Sequence, residues 1–369
     1  MKLRSSTRWI ARLLGASLIL AWLSITSNLL RISPDVSPTR PLRGAVDSID
    51  DFVLSWKDQV RVNAQGDKIG PPRFILGIMS YESPSTIGSR EFSRREMIRE
   101  TYLRYYKDYG KPGEANRICG LHEIVREQIP AADCQIAYAF VLGQSAHPPA
   151  HNQTELLNAS TTSEMVRPHT QEDVVLLDIV ENGDNGKSPT WFRYATLLRR
   201  ELNLPFDYVA KTDSDTLLIP PRFLRWVNEQ EEQVGSERTR IYGGTPMDKV
   251  ACGWPDHDHC ENMTAPYFHG GGFYFASIDV SEYIVSDRCP RKDLFIQHED
   301  VALGNYVHSM TSRTGGKPIV GFKNPCAYHD TWRHPVKDPK RIRSLWKHYL
   351  SKKKQRIKAK KHNASSIPT

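Results

Sequence analysis

The amino-acid sequence predicts an α/β domain with a mainly parallel central sheet. Apolar, β-prone segments alternate with amphipathic helical segments along the chain, and the β-prone segments are almost continuously apolar, as strands buried on both faces are. In addition, an acidic pair, Asp213 and Asp215, directly follows one of these strands. In open α/β sheets, ligands bind beyond the carboxyl ends of the strands. The sequence therefore predicts a ligand site at the end of that strand.

The alternation covers most of the body of the chain. The predicted strands are 73–79, 135–143, 173–180 and 206–212. The predicted helices are 93–106, 190–202 and 221–232. The first helix is expected to begin at Ser93, because Ser93 and Glu96 form a capping-box pattern.

The composition is that of a globular protein whose positive charge is concentrated near the C-terminus. The chain has 369 residues, 39% hydrophobic and 25% charged, with a formal net charge of +8. Residues 341–361 hold ten Lys and Arg and no acidic residue, so the rest of the chain carries a net charge of −2. A near-neutral body argues against a nucleic-acid-binding protein. Residues 351–369 are predicted to be a solvated basic tail.

The N-terminal segment predicts a membrane anchor. Residues 1–12 are basic, and residues 13–30 are 18 positions without a charge. That length is at the lower end of what spans a bilayer as a helix. A cleaved signal peptide is the alternative, but no clean cleavage site of small residues follows the apolar segment. The basic flank predicts a cytoplasmic tail at 1–12, a transmembrane signal anchor at 13–30 and a lumenal body.

Residues 31–70 are predicted to be a stem or linker. The first part is rich in Pro, Ser and Arg, and residues 46–60 carry an apolar stripe at helical spacing. This short helix predicts either a helix docked on the body or a contact in a homodimer. The docked helix is favoured because the stripe is only about two heptads long.

Sequons and cysteines agree with a lumenal body. The sequons predict N-glycosylation at Asn152, Asn158, Asn262 and Asn363. The six cysteines all follow the apolar segment, and their proximity in sequence predicts the pairs Cys119–Cys134, Cys252–Cys260 and Cys289–Cys326. A cytosolic location would leave all six as thiols.

The acidic pair has the chemistry of a divalent cation site. Asp213 and Asp215 are two residues apart, so both carboxylates can point into one cleft and hold a hard cation that binds phosphate oxygens. The competing interpretation is an aspartate turn that ends a strand, which is common.

Three other segments carry candidate functional residues. Arg94 and Arg95 are expected in a first helical turn, where cations are unfavourable unless an anion is bound. Glycines 270–272 permit a backbone to approach a ligand closely. Glu299 and Asp300 open a helical stretch, where a general base is the functional interpretation. Solvent-exposed arginines, a tight turn and ordinary helix capping are the respective alternatives.

Residues 256–260, Asp-His-Asp-His-Cys, look like a metal cluster. No second ligand pair stands at a known zinc spacing, however. In an oxidising compartment Cys260 is more consistent with a disulfide to Cys252.

Taken in order, these motifs resemble those of the β-1,3-galactosyltransferase and β-1,3-N-acetylglucosaminyltransferase superfamily, glycosyltransferase family 31. SRREMIRETY (93–102) resembles the family's R-R-x-x-I-R-x-T-W block, and YVAKTDSDTLL (208–218) resembles Y-V-x-K-T-D-D-D-x-F. YFHGGGFYFASIDV (267–280) is similar to Y-x-x-G-G-G-Y-V-L-S-x-D-L, and HEDVALG (298–304) to E-D-V-Y-V-G. The match extends through FVLG (140–143) and through residues 327–346, which resemble the closing H-x-x-x-P-x-x-x-x-x-x-W segment.

The resemblance implies a GT-A-type, Rossmann-like nucleotide-sugar domain at 71–350. It implies an inverting transfer of a hexose, galactose first, from a UDP-sugar to a glycan hydroxyl in β-1,3 linkage. It also implies Mn²⁺ held by Asp213, Asp215 and a late histidine, with His329 the best positional match and His334 a poorer one. Asp300 would be the catalytic base. The donor-binding residues that it implies are Arg94, Arg95, Arg99, Asp213, Gly270, Gly271, Gly272 and Glu299.

The family layout further implies a single-pass type II protein of the Golgi membrane, or of the ER, with a glycan or glycoconjugate acceptor and UDP-galactose as the favoured donor. N-acetylglucosaminyl transfer is the alternative within the same class. A non-catalytic lumenal protein that binds UDP or glycan with the same fold is the alternative from another class. The chain departs from the pattern at Ser214, which leaves both outer carboxylates in place, and at 252–264, which is longer and more polar.

Overall fold

The structure is a computed structural model, and it describes thirteen ranges of the chain. These are residues 61–62, 68–69, 73–82, 90–105, 117–144, 159–181, 186–234, 238–247, 268–286, 288–289, 299–314, 319–323 and 331–365. All of them belong to one compact unit formed by residues 44–254 and 267–369. Among these ranges, no helix combines the length and the apolar character needed to cross a bilayer. The predicted anchor at 13–30 and the polar segment at 252–264 lie outside the described residues.

The described strands, in chain order, are β1 (Arg61–Val62), β2 (Lys68–Ile69), β3 (Phe74–Met79), β4 (Arg117–Gly120), β5 (Cys134–Gln144), β6 (Val166–Arg167), β7 (Val174–Val180), β8 (Tyr208–Asp213), β9 (Leu217–Leu218), β10 (Ile241–Pro246), β11 (His269–Ser277), β12 (Val320–Lys323) and β13 (Trp332–Arg333). The described α-helices are α1 (Arg90–Ile98), α2 (Leu121–Val125), α3 (Lys187–Glu201), α4 (Pro220–Val234), α5 (Ile278–Ile284), α6 (Glu299–Thr314) and α7 (Pro339–Ser365). A π-helical turn, Arg99–Leu103, continues directly from α1.

Nine of the described strands form one sheet. Its order is β12-β10-β11-β8-β3-β5-β7-β6, with β4 also paired to β5. The central pairs β8–β3, β3–β5 and β5–β7 are parallel, whereas β11 is antiparallel to both β8 and β10. The predicted α/β class with a mainly parallel sheet is confirmed, and this architecture fits a GT-A-type domain.

Helices cover both faces of this sheet. Along β3, Ile75 and Met79 belong to one core cluster, whereas Phe74, Leu76 and Ile78 belong to the other, because successive side chains of a strand point to opposite faces. The first cluster includes side chains of α3, α5 and α6, and the second includes side chains of α1, α4 and α7. Strands with apolar residues on both faces therefore follow from this three-layer packing.

Trp191 of α3 illustrates how closely the first layer packs. A Cβ placed on Gly77 of β3 would lie 2.5 Å from the indole ring, so only glycine admits the ring at this position. The indole nitrogen donates a hydrogen bond of 2.9 Å to the backbone oxygen of Ala210 in β8. A fully buried indole thus keeps its donor satisfied.

The structure corrects the predicted start of the first helix. The helix begins at Arg90, so Ser93 is its fourth residue and does not cap it. The capping-box prediction at Ser93 and Glu96 is wrong, because tertiary contacts of Glu91 extend the helix toward the N-terminus.

The disulfide prediction is confirmed where the structure describes it. Cys119 on β4 and Cys134 on β5 are bonded, with Cα atoms 5.8 Å apart. Cys252, Cys260 and Cys326 lie outside the described residues, so the other two pairs stay predictions. The same holds for the zinc hypothesis at 256–260, the stem helix at 46–60 and the sequons at Asn152, Asn158 and Asn262.

The basic C-terminal region is helical. The single helix α7 continues across residue 350, where the predicted tail begins, and it contains Asn363 of the last sequon. Its first half packs on the sheet unit through Ile342, Trp346 and Tyr349, which are all buried.

Candidate active site

The acidic pair lies at the carboxyl edge of the sheet. Asp213 is the last residue of β8. The chain then turns, and the Thr216 N–H donates to the backbone oxygen of Asp213 at 3.0 Å. The Ser214 N–H donates to the oxygen of Met79, the last residue of β3, also at 3.0 Å. The turn is thus fixed to two parallel strands, which present the carboxylates of Asp213 and Asp215 beyond their ends.

A late segment of the chain brings His334 to these carboxylates. In this segment β13 pairs with β9, and the Val336 N–H donates to the backbone oxygen of Asp215 at 2.7 Å. The His334 Nε2 atom lies 3.1 Å from Asp215 Oδ1 and 3.6 Å from Asp213 Oδ2. One ligand atom from each of the three residues lies within 4.8 Å of the others, so the group can hold a metal ion.

Gly272 makes room for the His334 ring. A Cβ at residue 272 would lie 2.4 Å from His334 Cγ and 2.6 Å from Nδ1, well inside contact distance. The Gly272 oxygen accepts hydrogen bonds of 2.9 Å from the hydroxyls of Thr212 and Thr216. These hydrogen bonds hold the start of β11 against the acidic turn. The imidazole of His334 occupies the space that a side chain at residue 272 would need.

Two buried cations flank the carboxylates. Lys211 Nζ lies 2.7 Å from Asp213 Oδ1, which leaves Oδ2 as the oxygen nearest His334. Arg94 Nη2 lies 4.0 Å from Asp215 Oδ2. Burial raises the pKa of Asp215, but the hydrogen bond and charge of His334 and the charge of Arg94 outweigh it, so the pKa is lowered. Asp215 is therefore held in its ionised form, which is the form that binds a cation.

Lys211 stays charged for a related reason. Burial lowers the pKa of Lys211, but the nearby carboxylates of Asp213 and Glu299 raise it by more. Its ammonium group also donates to the Gly271 backbone oxygen. A lysine in this buried strand is thus explained by the carboxylates that surround it.

Ser214 points away from this group and into the protein. Its hydroxyl donates to the buried carboxylate of Glu91 at 2.6 Å. An aspartate at 214 would place a second negative charge against Glu91, which explains why a serine fits here. The departure from the D-D-D pattern leaves the two outward-facing carboxylates unchanged.

Asp300 approaches the same place from α6. The Gly271 N–H donates to Asp300 Oδ2 at 3.2 Å. A Cβ at residue 271 would lie 3.7 Å from Asp213 Oδ2 and 3.8 Å from Asp300 Oδ2. The carboxylate predicted as a base and a carboxylate of the group that can hold a metal therefore lie close to the same glycine, which is itself partly exposed.

Glu299 accepts hydrogen bonds from the start of α3. The Ser188 hydroxyl and N–H both donate to its carboxylate, the latter at 3.3 Å. Burial raises the pKa of Glu299, although Lys211 and Ser188 oppose this. Glu299 thereby ties the first turn of α6 to α3 and fixes the direction of Asp300, while its predicted role toward the donor stays a prediction.

The structure separates the three predicted arginines. Arg94 lies beside Asp215, whereas Arg95 donates to the Ser80 hydroxyl at 3.0 Å and to the Tyr81 backbone oxygen at 3.1 Å. Burial lowers the pKa of Arg95, with the charge of Arg99 adding to the effect. Arg99 forms a two-pronged ion pair with Asp173 at the start of β7, with distances of 2.8 and 2.6 Å.

Comparison with known families decides what kind of protein carries this site. A family model described as Galactosyltransferase matches residues 93–313, more than half of the chain. The chain belongs to this galactosyltransferase family. No curated protein sequence matches it. The transferase match contains Asp213, Asp215 and Asp300, and it ends before His334.

Some residues of this transferase site were not predicted from its sequence. Glu91 and Ser188 carry no sequence signal, because each acts on a partner more than a hundred residues away. Lys211 had a signal, since a lysine within a buried strand indicates a nearby carboxylate. His329 lies outside the described residues, and among those described the histidine beside the carboxylates is His334. Gly270 was predicted to bind the donor, and in the structure it lies against the Met247 side chain.

Proposed function

We propose that this transferase is an inverting, Mn²⁺-dependent enzyme that moves galactose from a UDP-sugar to a glycan hydroxyl in β-1,3 linkage. One observation carries the proposal. Two carboxylates and an imidazole that can hold a metal lie close to a further carboxylate, Asp300: a Cβ at Gly271 would lie 3.7 Å from Asp213 Oδ2 and 3.8 Å from Asp300 Oδ2.

The donor set fits manganese. Mn²⁺ accepts carboxylate and imidazole ligands together. Asp213, Asp215 and His334 would supply these ligands, and their two negative charges match the charge of the ion. When bound, the ion would supply positive charge that stabilises the departing diphosphate.

Asp300 is the residue we assign as the general base. Its carboxylate would take the proton of the acceptor hydroxyl as the hydroxyl oxygen forms a bond to C1 of the sugar. The bond between C1 and the diphosphate oxygen breaks on the opposite face, and UDP leaves with the bonding electrons, so the anomeric configuration inverts. The Gly271 N–H, which donates to Asp300 Oδ2, orients this carboxylate.

Two alternatives stay open to test. N-acetylglucosaminyl transfer would use the same residues with a different donor. A non-catalytic lumenal protein that binds UDP or glycan would not need a base, yet Asp300 is present, and its Oδ2 atom lies beside Gly271, as Asp213 Oδ2 does. This observation favours the enzyme.

The location and partners of the enzyme are part of the proposal. The charge-free segment at 13–30 after a basic flank supports a single-pass type II protein of the Golgi membrane. The buried disulfide Cys119–Cys134 supports an oxidising lumen for the catalytic unit. The acceptor would be a membrane-borne or soluble glycoconjugate, and the predicted stem is where a homodimer contact would form.

A donor panel tests the proposal. The full-length protein, purified in mild detergent, is incubated with UDP-galactose, UDP-N-acetylglucosamine or UDP-glucose and with Mn²⁺ or EDTA, and released UDP is measured. We expect release from UDP-galactose that stops with EDTA and returns with Mn²⁺. Preferential release from UDP-N-acetylglucosamine would replace galactose in the proposal, and metal-dependent UDP binding without turnover on any donor, with glycan acceptors present, would support the non-catalytic alternative.

A further inference from the structure

Glu91 is a buried carboxylate in the first turn of α1. It is 1% exposed, and it accepts hydrogen bonds from the Ser214 hydroxyl at 2.6 Å, the Ser80 hydroxyl at 3.2 Å and the Arg94 guanidinium. A buried carboxylate is costly unless it is paired and hydrogen-bonded, and this one has both kinds of partner. Glu91 precedes the part of the chain that matches the family, and it is neither one of the three residues that can hold a metal nor the proposed base.

The two serines connect Glu91 to the acidic turn. Ser214 stands between the metal-binding residues Asp213 and Asp215, and its N–H is bonded to the end of β3. Ser80 follows β3 directly, and its N–H donates to the Val141 oxygen of β5 at 3.0 Å. Glu91 therefore fixes the turn that sets the spacing of the two aspartates.

Arg94 connects Glu91 to the other side of the group. One guanidinium nitrogen donates to Glu91, and the other donates to the Lys337 oxygen at 2.9 Å. Lys337 lies three residues after His334, in the segment that carries the imidazole. The pair of Glu91 and Arg94 thus spans from the acidic turn to the histidine segment.

The charges add a second effect. The Arg94 guanidinium lies between two carboxylates, in direct contact with Glu91 and 4.0 Å from Asp215 Oδ2. A neutral residue at 91 would leave Asp215 as the nearest carboxylate for this arginine. A direct pair of Arg94 with Asp215 would compete with a cation for the same oxygens.

The geometry points to Glu91 as a positioning residue for the three residues that can hold a metal, Asp213, Asp215 and His334. By holding Ser214 and Arg94, Glu91 keeps Asp215 and His334 available to a divalent cation. This inference rests on the proposed metal-dependent function. It assigns Glu91 no contact with metal or substrate, and it makes metal affinity depend on a side chain of α1.

The test measures metal affinity rather than turnover. Mn²⁺ is titrated into the full-length protein with saturating UDP, and bound ion is followed by electron paramagnetic resonance. The variants are Glu91→Gln and Ser214→Ala. The matched control is Glu100→Gln in the π-helical turn that continues α1, which removes a carboxylate from an exposed ion pair with Arg343.

We expect Glu91→Gln to weaken Mn²⁺ binding about 10- to 100-fold, the range typical for residues that orient metal ligands. Ser214→Ala should weaken it by a smaller factor, roughly 2- to 10-fold, because one hydrogen bond is lost. The double variant should bind no more weakly than Glu91→Gln alone, because Ser214 acts through Glu91. Glu100→Gln should bind like the wild type, and excess Mn²⁺ should restore the UDP affinity of Glu91→Gln.

Wild-type affinity in a folded Glu91→Gln would overturn the inference. If that variant fails to fold, Ser214→Ala decides alone, and wild-type metal affinity in it would have the same effect. Failure of the proposed function would look different, since the wild-type protein itself would then bind no Mn²⁺ in the presence of UDP.

Discussion

At the scale of single residues, Gly272 determines whether His334 can reach the aspartates. The imidazole occupies the space of the missing side chain, so any Cβ there must move the ring. His334 would then leave its contact of 3.1 Å with Asp215.

We therefore expect Gly272→Ala to weaken Mn²⁺ binding about 10- to 100-fold while the protein remains folded. Gly270→Ala is the matched comparison, because its Cβ would meet only the flexible Met247 side chain, at 3.1 Å. Mn²⁺ titration of both variants in the presence of UDP measures the difference. Equal affinities would show that the ring position does not depend on residue 272.

Asp300 gives a prediction of a different kind, because it is assigned to proton transfer and not to binding. Asp300→Asn should lower kcat about 10²- to 10⁴-fold, the usual contribution of a general base. Affinity for Mn²⁺ and UDP should stay close to that of the wild type, since Asp213, Asp215 and His334 are unchanged. A loss of UDP binding equal to the loss of rate would instead make Asp300 a structural residue.

At the scale of secondary-structure elements, the junction of α3 and α6 depends on the ionisation of Glu299. Because burial raises the pKa of this carboxyl group in the folded state, the folded protein binds more protons than the unfolded chain above the ordinary glutamate pKa. The contribution of Glu299 to the free energy of unfolding is therefore greatest below the ordinary glutamate pKa. It is lost as the pH rises through the raised pKa of the folded state.

Glu299→Gln removes this titration. We expect the Tm of the variant, relative to the wild type, to rise as the pH is raised from about 4 toward neutrality, on top of a constant cost for the altered bond to Ser188. Thermal unfolding at a series of pH values measures it. A Tm difference that does not change with pH would contradict the raised pKa.

The disulfide between β4 and β5 is expected to stabilise the folded protein. Cys119 and Cys134 are 15 residues apart in sequence, and closing a loop of that length should stabilise the folded state by about 3 kcal/mol. Replacing both cysteines with alanine should lower the free energy of unfolding by about this amount, measured by urea unfolding. An unchanged value would mean that the bond is not formed in the isolated protein.

At the scale of the whole molecule, the sequence was sufficient for the fold and for part of the site. Strand β8 and the acidic pair after it were predictable because apolar continuity and a turn are both local features. Asp213, Asp215 and Asp300 followed from motifs within short segments, and they do lie together.

The remaining residues depend on long-range contacts. His334 reaches the site because β13 pairs with β9, a contact that two-residue strands do not reveal in sequence. The start of α1 was misplaced because Glu91 is held by Ser214, 123 residues away, rather than by local capping. Arg99 was grouped with Arg94 by its motif, yet it lies at β7, three strands from β8 in the sheet.

The central claim is that Asp213, Asp215 and His334 together bind the metal that holds a UDP-sugar. The most direct test is a calorimetric titration of UDP into the full-length protein with Mn²⁺ or with EDTA, for the wild type, Asp215→Ala, His334→Ala and His329→Ala. We expect the wild type to bind UDP tightly only with Mn²⁺. In Asp215→Ala and His334→Ala, we expect the affinity for UDP with Mn²⁺ to be lower by about tenfold or more. The His329→Ala titration tests the histidine that sequence position alone favoured. Unchanged Mn²⁺-dependent affinity in both Asp215→Ala and His334→Ala would contradict the account.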